Sequence, residues 1–165
     1  MAQTSYLSRA IYRELAGGDT DMAKLDFAGT YKLVCAMQSM GAPVEAPNTV
    51  ESTTNEDDSQ TYEMGIKQSS AIEVKGNLDK DYLDNLDGLG NKKVAIMQLY
   101  GTDGVGGVAK YAYVGQISAT PSEIGGTDEI LGLDVTIVKN TTAKKVTDEY
   151  TVVDNKDGTF TVTKK

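Results

Sequence analysis

KKVAIMQLYGTDGVGGVAKYAYVGQI, residues 92–117, sets two apolar runs on either side of a glycine-rich heptad. Within KKVAIMQLY (92–100) and VAKYAYVGQI (108–117) both odd and even positions are apolar. A strand built this way is buried on both faces, so each run belongs in the middle of a sheet or under a second layer. GTDGVGG (101–107) lies between them, and its glycines permit positive φ, which marks a hairpin loop. A phosphate cradle is the competing reading of that heptad. It lacks a lysine at the Walker position and is followed by a strand, so no helix N-terminus would point at an anion.

The same period of two runs outward from this hairpin. In Ile72–Leu78 the apolar residues Ile72, Val74 and Leu78 alternate with Glu73, Lys75 and Asn77. ILGLDVTIVK (130–139) places Leu131, Leu133, Val135 and Ile137 on one side. Each reads as a strand with one buried and one wet face. TYKLVCAMQS (30–39) resembles the two-faced runs, and YTVV (150–153), DNKDG and TFTVT (159–163) read as a further hairpin. DKDYLDNLDGLG (79–90) is the one clear helix. Asp79 caps it, Asp81 suits its positive end, Tyr82, Leu83, Leu86 and Leu89 recur at helical spacing against the sheet, and Gly88 or Gly90 stops it. In SYLSRAIYRELAGG (5–18) the line Leu7, Ile11, Leu15 suggests either a short helix or an extended arm. The expected fold is therefore mainly β, an antiparallel β-sandwich or barrel of about seven or more strands with one flanking α-helix at about residues 79–90.

Composition narrows the chemistry. The chain has 165 residues, enough for a single domain, with 39% hydrophobic residues and a net charge of −8. Histidine is absent, so catalysis by Ser-His-Asp or Cys-His and zinc sites with imidazole ligands are excluded. The single cysteine, Cys35, permits no internal disulfide and sits in an apolar run, where it reads as a small core residue. The acidic balance argues against tight nucleic-acid binding, which draws on Lys and Arg. The apolar runs are short, and MAQTSYLSR does not resemble a secretion signal, so no membrane span and a cytoplasmic start are expected.

ESTTNEDDSQTYEMG (51–65) is polar and acidic, with carboxylates at Glu51, Glu56, Asp57 and Asp58 and a lone Tyr62, yet it stands between strands. It lacks the alternating ligands of a calcium loop, as does DNKDG (154–158), and a solvated loop is the ordinary reading of both. Carboxylate pairs such as Glu45 with Glu51, or Asp57 with Asp58, suit a glycosidase in principle. Among 24 acidic residues such pairs arise by chance, and no Trp is present as a sugar platform. Tyr111 and Tyr113 read as core or subunit contact, and the Asn140-Thr141-Thr142 sequon has nothing to route it to glycosylation. No enzyme activity, metal or cofactor is expected.

The order of features carries a resemblance. APNTVESTTNEDDSQTYEMGIKQSSAIEVKGNLDKDYLDNL, a two-faced strand, a glycine-rich turn and then YAYVGQISATPSEIGGTDEILGLDVTIVK together resemble the major tail proteins, or tail tube proteins, of long-tailed, non-contractile phages of Gram-positive bacteria. The likeness covers about residues 30–140. Its most specific parts are E-S-T-T…T-Y-E-M-G-I-K, I-E-V-K-G-N-L-D-K-D-Y-L, and V-G-Q-I-S before an alternating strand. The resemblance implies a β-sandwich or barrel with one helix, whose copies form rings, hexameric in that family, that stack into a hollow tube for DNA.

It further implies that the long loop reaches a neighbouring ring, which maps here onto Glu51, Thr53, Thr54, Asn55, Glu56, Asp57, Asp58, Ser59, Gln60 and Tyr62. The expected partners are other copies of the chain, a tape measure protein and a tail terminator, with DNA passing through the lumen unbound and carboxylates outnumbering Lys and Arg on the inner wall. The expected location is the virion tail, assembled in the host bacterial cytoplasm. The whole chain, 1–165, would be one tube domain with an N-terminal arm at about 1–29 and a C-terminal hairpin at about 146–165. Other phage components (a tail terminator, connector or capsid decoration protein) and a carbohydrate-binding β-sandwich are the alternatives.

Overall fold

The structure, a computed structural model, describes residues 6–15, 26–44, 47–56, 58–60, 62–67 and 71–165. Twelve strands and one helix follow in chain order among them: β1 (Arg9–Glu14), β2 (Gly29–Leu33), β3 (Met37–Met40), β4 (Pro47–Glu51), β5 (Tyr62–Lys67), β6 (Ile72–Asn77), α1 (Lys80–Asp87), β7 (Val94–Tyr100), β8 (Ala109–Pro121), β9 (Gly132–Lys139), β10 (Lys144–Lys145), β11 (Tyr150–Asp154) and β12 (Thr159–Lys164). Ten strands make one sheet in the order β11-β12-β2-β1-β7-β8-β9-β6-β3, with β10 beside β8. Every pairing in it is antiparallel, and the sheet curls strongly into a half-barrel.

The 92–117 hairpin lies at the middle of this sheet, as its two-faced apolar pattern requires. Residues 94 to 99 are all buried. Val94 and Ile96 enter one core, and Ala95, Met97 and Leu99 enter a second on the opposite face. β8 pairs with β7 over residues 109–115 and with β9 over 115–121, so one long strand links the two halves of the sheet. The first core is completed by Ile72 and Val74 of β6, Leu133, Val135 and Ile137 of β9, and Leu86 and Leu89 at the end of α1. Tyr82 and Leu83 pack against it partly buried. Asp79 caps the helix by accepting a hydrogen bond from the Asp81 amide at 2.9 Å.

The second core shows where the C-terminal hairpin packs. β12 pairs with β2, and Tyr150, Val152, Phe160 and Val162 share a cluster with Ile11, Met97, Leu99 and Ala112. The hairpin thus covers the face that β1, β7 and the first half of β8 would otherwise expose.

Two expectations are corrected. Residues 9–14 form neither a helix nor a free arm: β1 is a central strand between β2 and β7. Its Ala10 and Tyr12 face the first core and Ile11 the second, so the spacing of Leu7, Ile11 and Leu15 was a coincidence of a two-faced strand. The N-terminal arm placed at 1–29 therefore does not describe this segment, and β2 already begins at Gly29. Residues 1–5 and 16–25 lie outside the described residues. TYKLVCAMQS is likewise not one strand. The chain leaves β2 at Leu33, buries Val34 and Cys35 in the first core, and joins β3 on the far side of the sheet order. Gly76 permits that crossing: a Cβ there would stand 2.6 Å from the Ala36 carbonyl oxygen and 2.8 Å from Cys35 Sγ.

Candidate functional site: a separate hairpin and an open cleft

β4 and β5 form a two-stranded sheet of their own and pair with no strand of the large one. The ladder sets Thr49 opposite Met64, Val50 opposite Glu63 and Glu51 opposite Tyr62. Directly opposed residues share a face and the side alternates along each strand. Tyr62, Met64, Thr49 and Glu51 therefore lie on one face, and Val50 with Glu63 on the other. A two-stranded hairpin by itself has little to hold it in water. Even so, Met64 is 81% exposed, Tyr62 57% and Val50 55%.

The loop residues singled out from the sequence fall on this element. Glu51 ends β4, Tyr62 opens β5, and Thr53, Thr54, Asn55, Glu56, Asp58, Ser59 and Gln60 form the exposed tip. Asp57 lies outside the described residues, as does Glu45, so neither carboxylate pairing with them has a described geometry. The Tyr62 hydroxyl donates to Gln60 Oε1 at 3.1 Å. Glu51, Glu56 and Asp58 leave the tip anionic. The sequence reading missed Met64 and Val50. Their signal was the alternation T-Y-E-M, which puts Tyr62 and Met64 on one side of a strand, where both are exposed.

The helix residues stand elsewhere, as packing groups. Leu86 and Leu89 are 2% and 1% exposed. Tyr111, by contrast, meets Tyr100 edge-on with centroids 6.2 Å apart. Tyr113 is fully buried in the first core, and burial raises its phenol well above the ordinary tyrosine value. Burial likewise pushes the Cys35 thiol up to about 11, so it is protonated and poorly nucleophilic at neutral pH.

Between β3 and the segment leading into β1 the half-barrel stays open as a cleft of about 800 Å³. Leu7, Leu33, Met37 and Met40 line it beside Tyr100 and the polar Ser8, Gln38, Ser39 and Asn77, and Arg9 is its one charged lining residue among those described. Arg9 is held by Asp154, Nη1 to Oδ2 at 3.0 Å, and lies over the Phe160 ring. Gln98 of β7 is buried and donates through Nε2 to the Gly41 carbonyl just past β3, at 3.3 Å. No described residue bonds its Oε1. β3 ends the sheet order, so one backbone edge of it is unpaired among the described residues.

The described residues include no group of three or more Cys, Asp or Glu placed to hold a metal, and no helix long and apolar enough to cross a membrane. A scan of protein-family models finds none that matches the chain, and a search of curated proteins finds no match either. The class defined by fold and site is a curled, mainly antiparallel β domain carrying one detached acidic hairpin.

Proposed function

We propose that the chain is a structural subunit of a phage tail: copies associate into rings, and the rings stack into a hollow tube through which DNA passes. The observation that carries this reading is the β4–β5 hairpin. It stands as a separate sheet with Tyr62 and Met64 exposed on one face, an arrangement that contributes little to the fold of its own subunit and suits contact with another. The outer edges of β3 and β11, unpaired among the described residues, add to it, since open edges are an aggregation hazard unless neighbouring copies cover them.

A third feature supports the conduit. The outward face of β6, β9 and the second half of β8 carries Ser118, Thr120, Asp134, Thr136, Glu73 and Lys75. Its charges are two carboxylates and one ammonium. Such a surface offers DNA hydrogen-bonding groups but little to attract phosphates. On this reading it lines the lumen. The subunit is non-catalytic, meets a tape measure protein and a tail terminator, and belongs to the virion, assembled in the host bacterial cytoplasm.

Negative-stain imaging and light scattering of the purified protein test the proposal. Rings or tubes are expected. A monomer that persists at the highest attainable concentration would overturn it. Deleting Thr53–Gln60 is expected to leave a folded subunit that no longer stacks, and normal tubes from that deletion would contradict the role given to the hairpin.

A further inference from the structure

We infer that the open cleft beside β3 is the receptor for the β4–β5 hairpin of a second copy, with the Tyr62 and Met64 face of the hairpin seated against Leu33, Met37 and Met40. This rests on the assembly reading above and adds the surface that completes it.

Three observations point to this occupant. The chemistry of the two surfaces matches in part, since an exposed aromatic and a thioether meet a cleft whose apolar lining is Leu7, Leu33, Met37 and Met40. Their charges are complementary: Glu51 lies directly across the ladder from Tyr62, and Arg9 is the one charged lining residue described in the cleft. Asp154 engages Nη1 of Arg9, while a guanidinium carries five N–H donors in all. Lastly, β3 lines the cleft and has one backbone edge unpaired among the described residues, to which an extended strand can add.

Hairpin and cleft are different surfaces of one chain, so the contact is head-to-tail. A heterologous contact either closes into a ring or propagates as a filament, whereas an isologous one stops at a dimer. A contact of this size is weak by itself, because a stable pair usually buries ~800 Å² on each side. It gains strength when several copies held in one ring engage the next together.

Disulfide trapping tests the pairing. In a Cys35→Ala background, Tyr62→Cys is mixed with Ala36→Cys, an exposed residue lining the cleft, or with Thr136→Cys on the open sheet face as the control. Under mild oxidation the Tyr62→Cys and Ala36→Cys mixture is expected to give cross-linked dimers and the control mixture none. Assemblies that form without this link, or that link Tyr62→Cys equally to Thr136→Cys, would overturn the cleft as receptor while leaving the assembly reading intact. Failure of the wild-type protein to assemble at all would overturn both.

A second measurement avoids the core cysteine. Met64→Asp in the wild-type chain is expected to raise the concentration needed for assembly at least tenfold, while Thr163→Asp leaves it unchanged. An unchanged threshold for Met64→Asp would reject the inference.

Discussion

Arg9 and Arg13 show why the first strand escapes a hydropathy reading. Both alternate with Ile11 on one side of β1, and their guanidinium carbons lie 5.3 Å from the Phe160 ring centroid and 5.8 Å from that of Tyr31. Their charge hides a period-two face, because long cationic side chains cover apolar surface with their stems and stack on rings. The Arg9 pair also has a pH signature. Hydrogen bonding from the Lys156 amide and from Arg9 holds the Asp154 carboxyl below its ordinary value of 3.8. A depressed folded value means that the stabilisation is present above the unfolded value and is lost as pH falls through the folded one. Acidification from about pH 5 to pH 2 is therefore expected to lower the wild-type Tm more steeply than that of Asp154→Asn. Parallel curves in thermal melts would remove Asp154 from the account. Gly115 is a second point of constraint, since a Cβ there would meet the Val138 carbonyl oxygen at 2.5 Å. Gly115→Ala is expected to destabilise by about 1–3 kcal/mol in denaturant titrations.

At the scale of elements, the helix and the alternating strands were legible because one local rule governs each. Asp79 caps, the leucines recur, and β6 alternates buried with exposed along its length. Leu86→Ala is expected to cost about 2–4 kcal/mol and Tyr82→Ala less, since Leu86 is buried and Tyr82 only partly so. Equal losses in denaturant titrations would mean that the helix packs differently. The detached hairpin was legible too, from its polarity between strands, yet its exposed Met64 was not singled out. What could not be read was placement. Val34 and Cys35 look like the middle of a strand, and only the close approach of Gly76 shows that the chain crosses there from β2 to β3. Long-range pairing decides such breaks, and composition carries no trace of it. The hairpin tip has few buried contacts, so protease cleavage after Glu56 is expected to be the first cut in the free subunit and to be suppressed in assemblies. Equal cleavage in both states would argue that the tip stays solvent-facing after assembly.

For the whole molecule, the open polar face and the net charge of −8 make one prediction about traffic through a tube. Wild-type assemblies are expected to retain no duplex DNA at low salt, whereas Glu73→Lys with Asp134→Lys is expected to retain it and release it as salt rises, the behaviour of phosphate contacts made by lysine. Retention measured by co-sedimentation checks this, and no difference between the two proteins would place that sheet face away from the lumen. The mainly β architecture was foreseen from periodicity. The continuity of the sheet from β11 to β3 was not, because the C-terminal hairpin was legible as a hairpin but not as the source of Tyr150, Val152, Phe160 and Val162 in the second core.

That last placement governs when the chain acquires its shape during synthesis. β1 is synthesised long before one of its two neighbours, residues 94–99 of β7, and the face it shares with them is finished only by residues 150–162. Contacts so distant along the chain make folding slow and late. A nascent or prematurely terminated polypeptide lacking the final hairpin leaves Ile11, Met97 and Leu99 uncovered, and it is a substrate for chaperones and proteases. A chain cut ahead of residue 150 is thereby cleared before it can accumulate.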